Sequence, residues 1–275
     1  MANAPKPTTA KKESSGSSIF ASLTIVICIL IGIVLWRYVM GDGSNFEGGD
    51  NTGHPLPGNY FGMVYKGGYI VPVLMGLFLM VIVFSFERFF VISKATGKGS
   101  IDAFVKRIQT QLSNRNIEGA MAECDKQEGS VANVIKSGLK KYKEMEVEPN
   151  MDTEQKCLAI QKDIEEATAL EMPMLEQNLT IIATLVSIGT LMGLLGTVTG
   201  MIKAFAGLAT AGSPDQAALA NGISEALINT AVGIATSALS IIMYNLFTSK
   251  IDKLTYSIDE AGFSIVQTYA STHKG

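Results

Sequence analysis

The sequence predicts an all-α, polytopic membrane protein with four transmembrane helices and a helical cytoplasmic domain, assembled as an oligomeric helix bundle. Three observations predict it. Hydrophobic residues make up 47% of the 275 residues and charged ones only 17%, too few to clothe a soluble domain of this length. Four apolar runs are each long enough to cross a hydrocarbon core of about 30 Å, which takes roughly 20 helical residues. The lysines and arginines beside those runs fall on alternate sides, as orientation by positive charge requires.

Residues 1–18 form a tail with Lys6, Lys11 and Lys12, which holds it in the cytoplasm. Residues 19–40 (IFASLTIVICILIGIVLWRYV and the following Met40) exceed a signal-peptide core and lack a small-x-small cleavage site. They predict an uncleaved anchor, with a cleaved signal as the alternative. Residues 41–68 are glycine-rich, carry Asp42, Glu47 and Asp50, and have Lys66 as their one basic residue; this loop belongs outside. Residues 69–93 form the second span, which ends near the pair Glu87-Arg88. With Arg88, the basic residues Lys94, Lys98, Lys106 and Arg107 follow, placing residues 94–178 inside. Residues 179–208 form the third span, and residues 209–218 a connector without basic residues, hence outside. Residues 219–248 form the fourth span, and Lys250 and Lys253 return residues 249–275 to the cytoplasm. Every segment obeys one orientation, with both termini cytoplasmic.

The inner segment is amphipathic. Ile101, Phe104, Val105, Ile108 and Leu112 share one side of a helix. Two further short helices precede a break at Glu148-Pro149-Asn150. A long helix from about Asp152-Thr153 leads into the third span, and Pro173 kinks it or marks its restart. The charges of this segment are mixed rather than convergent, which predicts a packing collar. Asn178-Leu179-Thr180 matches a glycosylation sequon, but at a cytoplasmic mouth it is a chance match.

Several function classes are excluded. A net charge of −3 offers nothing to nucleic acid. Cys28, Cys124 and Cys157 form no CxxC, and His54 and His273 lie at opposite ends, so no metal cluster and no cofactor are expected. No phosphate loop or nucleophile elbow is present, so the chain does not read as an enzyme.

The third and fourth spans carry the information. Gly189 and Gly193, then Gly196 and Gly200, form small-xxx-small pairs that let helices approach closely in lipid. Ser187, Thr190 and Thr197 recur at helical spacing on one face; they either back-bond to their own helix or line a wet interior. In the fourth span Glu225 is followed one turn later by Asn229, with Thr230 beside it. A carboxylate in a membrane helix marks a partner, a pore or an ion route, unless it sits at the outer headgroups. Lys203 lies near the same end and can snorkel or pair with an acidic group.

These residues carry a resemblance. GLLGTVTGMIKAF followed by ISEALINTAVGIATSALSIIMYN is similar to the last two membrane helices of the MotA/TolQ/ExbB proton-channel family. LEQNLTIIATLVSIGTLMG resembles the family's approach to the first of them, and RNIEGAMAECDKQEGSVANVIKSGL resembles its cytoplasmic stretch. The likeness runs from about Tyr69 to the C-terminus and is nearer the ExbB and TolQ branches than the flagellar one. It implies a bacterial inner-membrane motor-stator subunit that converts proton motive force into mechanical work for TonB-dependent outer-membrane transport. It also implies a homopentamer around a dimer of an ExbD- or TolR-like single-span partner, engaging a TonB-like protein. Thr197, Glu225 and Thr230 match the positions tied to proton flow; Ser187, Thr190 and Asn229 are secondary pore candidates. Gly189, Gly193, Gly196 and Gly200 would serve packing. No aspartate lies in a membrane run, so the proton carrier would be the partner's. Two features depart from the family: the N-terminal anchor with its outer loop, and Leu239 where many relatives carry proline. The alternatives are a TolQ-like stator for envelope integrity and a non-conducting membrane scaffold. A transporter is disfavoured because neither internal repeats nor interrupted helices are present.

Overall fold

A computed structural model describes residues 14–210 and 216–273. The expected tail lysines Lys6, Lys11 and Lys12, and residues 211–215 of the connector, lie outside the described residues. Nine α-helices form among the described residues: α1 Ser14–Val34, α2 Tyr60–Tyr65, α3 Val71–Thr96, α4 Ile101–Ser113, α5 Ile117–Gln127, α6 Gly129–Val147, α7 Thr153–Glu176, α8 Leu179–Thr210 and α9 Gln216–Thr272. There is no β-strand among them, only an isolated bridge between Phe46 and Pro55. Four helical stretches are long and apolar enough to cross a membrane, beginning at Ile19, Val71, Thr153 and Leu219. The chain is an all-α polytopic membrane protein. It divides into two units, Met1–Val83 with Thr184–Leu239, and Phe84–Ala183 with Ser240–Gly275.

In the first unit α1 touches α3 along one narrow stripe. Thr24, Cys28 and Gly32 recur every fourth residue and are its buried positions, whereas Leu23, Val26, Leu30 and Val34 stay exposed. At the crossing a Cβ on Gly32 would stand 2.5 Å from the Pro72 carbonyl oxygen, and one on Gly76 would stand 2.9 Å from Ile29 Cα. Glycine is therefore required on both helices. Beyond α1 the chain makes a π-helical turn, Leu35–Met40, and the glycine-rich loop folds into a cap with its own small core. Asn45 organises it. Its amide donates to the carbonyls of Val39 (2.9 Å) and Met40 (3.1 Å), and its Oδ1 accepts from Asn59 Nδ2 at 3.0 Å. Trp36 stacks on Tyr65 at 4.7 Å and donates its indole N–H to the Tyr65 carbonyl at 3.2 Å. Phe46 meets the same tyrosine edge-on.

In the second unit α4–α7 and the end of α9 bury the apolar faces that periodicity marks. Ile101, Phe104, Val105, Ile108 and Leu112 are all buried. The end of α9 is latched by aromatic stacking. Tyr269 lies on His273 at 4.3 Å, meets Tyr142 edge-on at 4.8 Å, and donates its hydroxyl to the Met145 carbonyl at 2.8 Å. Burial raises the Tyr269 and Tyr142 phenols above their ordinary range.

The break between α7 and α8 is not at Pro173, which lies inside α7. It falls at Asn178, whose φ of +63° is left-handed. Asparagine tolerates that conformation better than other non-glycine residues, whereas Pro173 removes one helical donor without forcing the chain out of the helix. Arg88 secures this corner. Its guanidinium is buried, donates to the carbonyls of Met174 and Leu175 at 3.1 Å each, and pairs with Glu87. The two carbonyls belong to the last turn of α7, where a cation also meets the negative end of the helix. At Leu239 α9 continues unbroken.

Two outcomes follow. Arg88→Met should lower the apparent melting temperature of the detergent-solubilised protein by several degrees, because losing one partner of a buried pair costs about 3 kcal/mol. Lys98→Met, which removes an exposed pair with Glu128, should shift it little. Second, Cys157, which is only half-buried, should react with maleimide in the folded protein. Cys124 is buried and its thiol is pushed up to about 12 by desolvation, so it should label only after unfolding.

Candidate functional site

The site is built on α8 and α9 within the first unit, and glycine decides how close they come. A Cβ on Gly189 would stand 2.7 Å from Ser237 Oγ, one on Gly193 3.1 Å from the Asn229 carbonyl oxygen, and one on Gly200 3.0 Å from the Gly222 oxygen. At Gly196 a Cβ would overlap Asn229 Cβ. The fourth helix answers with its own glycines: Gly233 faces Gly189 and Gly193, and Gly222 faces Gly200 and Ala204. Neither Gly222 nor Gly233 stands out in the sequence as a packing glycine. Their signal is their spacing from Gly200 and Gly193, which only the register of the two helices reveals.

The hydroxyls flank this seam. Thr190 Oγ1 lies 2.8 Å from Ser237 Oγ across the helices, and Ser187 is exposed. Thr197, half-buried, donates to the Leu194 carbonyl at 2.6 Å. Thr230, also half-buried, donates across the seam to the Gly193 carbonyl at 3.4 Å, a long bond. A hydroxyl whose proton is engaged with a backbone carbonyl presents lone pairs to anything beyond it. Thr197 and Thr230 can therefore accept a hydrogen bond from a protonated carboxyl group or a hydronium while holding no charge themselves. Beside Thr197 the surface is apolar, with a shallow groove formed by Val198, Met201, Ile202 and Phe205. Leu191, Leu194 and Ile202 on α8 and Leu227 and Ile234 on α9 are exposed in the single chain.

Asn229 corrects the expectation. It is fully buried rather than on an open face, donates its Nδ2 to the Gly67 carbonyl at 2.9 Å, and has an Oδ1 that is buried without a hydrogen-bond partner among the described residues. It lies inside the seam because Gly196 leaves room for a side chain on α9 there. Burying a half-satisfied amide costs free energy, so this residue closes a contact and does not line an opening. Glu225 is also turned inward. Its side chain is 14% exposed and its Oε1 accepts from Lys203 Nζ at 2.7 Å. The carboxylate in a membrane helix is thus partnered by this chain's own lysine. Among the described residues no group of three or more His, Cys, Asp or Glu residues is placed to hold a metal.

Long apolar helices whose α8 and α9 approach through a glycine seam, with hydroxyls on its flank, define a helical membrane protein. Residues 126–260 match the MotA/TolQ/ExbB proton channel family, and relatives named TolQ and ExbB are similar to the chain. The Tol-Pal system protein TolQ of Pseudomonas aeruginosa is 28% identical to it over 158 residues, covering 58% of this chain and 68% of that protein. A putative biopolymer transport protein, ExbB-like 3 of Synechocystis, is 32% identical over 88 residues, 31% of this chain and 42% of that protein. The biopolymer transport protein ExbB of Salmonella typhimurium is 31% identical over 85 residues, 31% of this chain and 35% of that protein. Against the last two, the matched stretch is less than half of the relative's length.

The seam orders its glycines by tolerance. Gly196→Ala should lower the apparent melting temperature most, because the added carbon meets an immobile buried side chain. Gly200→Ala, with 3.0 Å to the nearest atom, should cost less. Equal losses at both positions, measured by thermal scanning fluorimetry, would contradict this packing.

Proposed function

We propose that this chain is an ExbB-like proton-channel and motor-stator subunit of a bacterial inner membrane. With an ExbD-like single-span partner it converts proton motive force into mechanical work for TonB-dependent outer-membrane transport. The observation that carries the reading is the pair Thr197 and Thr230. Both are hydroxyls on the flanks of the α8–α9 seam whose protons are engaged by backbone carbonyls, leaving acceptors within a bilayer that offers few others. The match of residues 126–260 to the proton channel family supports it. In this reading α8 and α9 of five copies form the inner wall, and a partner dimer inside carries the proton on its own carboxyl group. Protonation removes the charge of that group, and hydrogen bonds to the threonines offset its desolvation as it passes. Both termini and α4–α7 are cytoplasmic, and the cap of residues 41–68 is periplasmic.

A second reading is a TolQ-like stator serving envelope integrity. Relatives of both kinds are similar over much of the chain: a TolQ over 58% of it and a putative ExbB homolog over 70%. The two readings share the proton path and differ in the machine that receives the work.

Thr197→Val and Thr230→Val remove the hydroxyl at nearly constant volume. Each should reduce proton flux through the purified complex in proteoliposomes about tenfold or more, the scale of one lost hydrogen bond in a dry site. Unchanged flux in both variants sinks the threonine-wall reading. Native mass spectrometry after co-expression with a small single-span protein encoded beside it should give five copies with two of the small chain. Complementation of a strain lacking its ExbB against one lacking its TolQ separates the two readings.

A further inference from the structure

At one end of the seam Glu225 makes contacts with Lys203 and Gly68. Three segments of the first unit meet there: α8 through Lys203, α9 through Glu225 and Asn229, and the turn Gly67-Gly68 that precedes α3. The Glu225 carboxylate lies against Gly68 where a side chain would stand: Oε1 would overlap a Cβ there, and Cδ would be 2.9 Å away. Gly68 has a φ of +81°, so the position excludes larger residues both by conformation and by space. Lys203 Nζ, 2.7 Å from Glu225 Oε1, would itself be 3.4 Å from that Cβ. One turn along α9, Asn229 holds the carbonyl of Gly67 at 2.9 Å. A Cβ on Gly67 would stand 3.2 Å from Ile228 of the same helix.

We propose that Lys203 is a positioning residue: through Glu225 it clamps the Gly67-Gly68 turn, and with it the entry to α3, onto α9 beside Thr230. The assignment follows from what each group reaches. Asn229 fixes the backbone of the turn from one side. Glu225 seals it from the other only while its carboxylate is drawn over Gly68, and the ammonium of Lys203 holds it there. The Lys203 side chain is 54% exposed and lies 5.9 Å from the Tyr69 ring, so it spans the gap between α8 and the turn rather than filling the seam. The turn is also the foot of the cap: the Tyr65 carbonyl accepts from both Trp36 Nε1 and the Gly68 N–H. A pull on the cap therefore loads Glu225, and a group that engages Glu225 loosens the turn, since such coupling acts in both directions. The clamp itself stands on this geometry; its bearing on proton flux rests on the function proposed above.

The experiment is hydrogen exchange of the full chain in lipid nanodiscs, followed at amides 66–71. Lys203→Met and Glu225→Gln should each speed exchange there about tenfold. The double variant should go no further than either alone, because groups acting as one unit are not additive. Lys203→Arg should restore protection, and Gly68→Ala should mimic its loss by displacing the carboxylate. Amides of α4–α6 serve as the folding control and should not change. Wild-type protection in Lys203→Met, or independent addition of the two single effects, overturns the clamp and leaves Asn229 as the sole tie. Proton flux in the same samples keeps the two ideas apart. If exchange responds as stated while the wild-type complex carries no flux, the clamp stands and the proton-channel reading fails.

Discussion

Two helices in hydrocarbon gain little from covering apolar side chains with one another, because lipid tails cover them as well. What binds α8 to α9 is close approach of their backbones, and that depends on Gly189, Gly193 and Gly200 meeting Gly222 and Gly233, with Gly196 making room for Asn229. The same device joins α1 to α3 at Gly32 and Gly76. Larger side chains would push the helices apart, and each polar contact described along the seam would be lost with the separation. Thr230 could no longer reach the Gly193 carbonyl, nor Thr190 reach Ser237.

The polar groups are placed by that approach, and each is satisfied in a different way. Thr197 and Thr230 spend their protons on backbone carbonyls and keep lone pairs free. Glu225 takes its counter-charge from the neighbouring helix, which reduces the cost of holding a carboxylate at this depth. Asn229 satisfies its donor on the Gly67 carbonyl and finds no partner for its acceptor among the described residues, and it ties a turn to a helix. In the second unit Arg88 does comparable work: a buried cation holds a helix end by its last carbonyls, with Glu87 as its counter-charge.

Much of this was legible in the residues because the bilayer imposes a simple code. A run of about 20 apolar residues, a basic flank and a helical stripe each have one cheap interpretation in lipid. The stripe Ile101, Phe104, Val105, Ile108, Leu112 is such a case, and these residues are buried together. Asn229 was not legible: an amide four residues from Gly233 looks the same from sequence whether it faces an opening or a neighbour. The Asn178 break was hidden by Pro173, the more conspicuous residue, because proline disrupts a helix locally whereas a left-handed residue redirects it.

The sequence by itself determined the helical class, the apolar spans and the likeness to the proton channel family. These depend on local composition and spacing, and a helix forms its hydrogen bonds within itself. Only the tertiary structure decided which face each polar residue occupies. It put Asn229 inside the seam, gave Glu225 to Lys203 and laid both beside a glycine turn more than a hundred residues earlier in the chain. Those outcomes depend on the register between helices, which is fixed by side-chain volume at the contact and is written in no single segment.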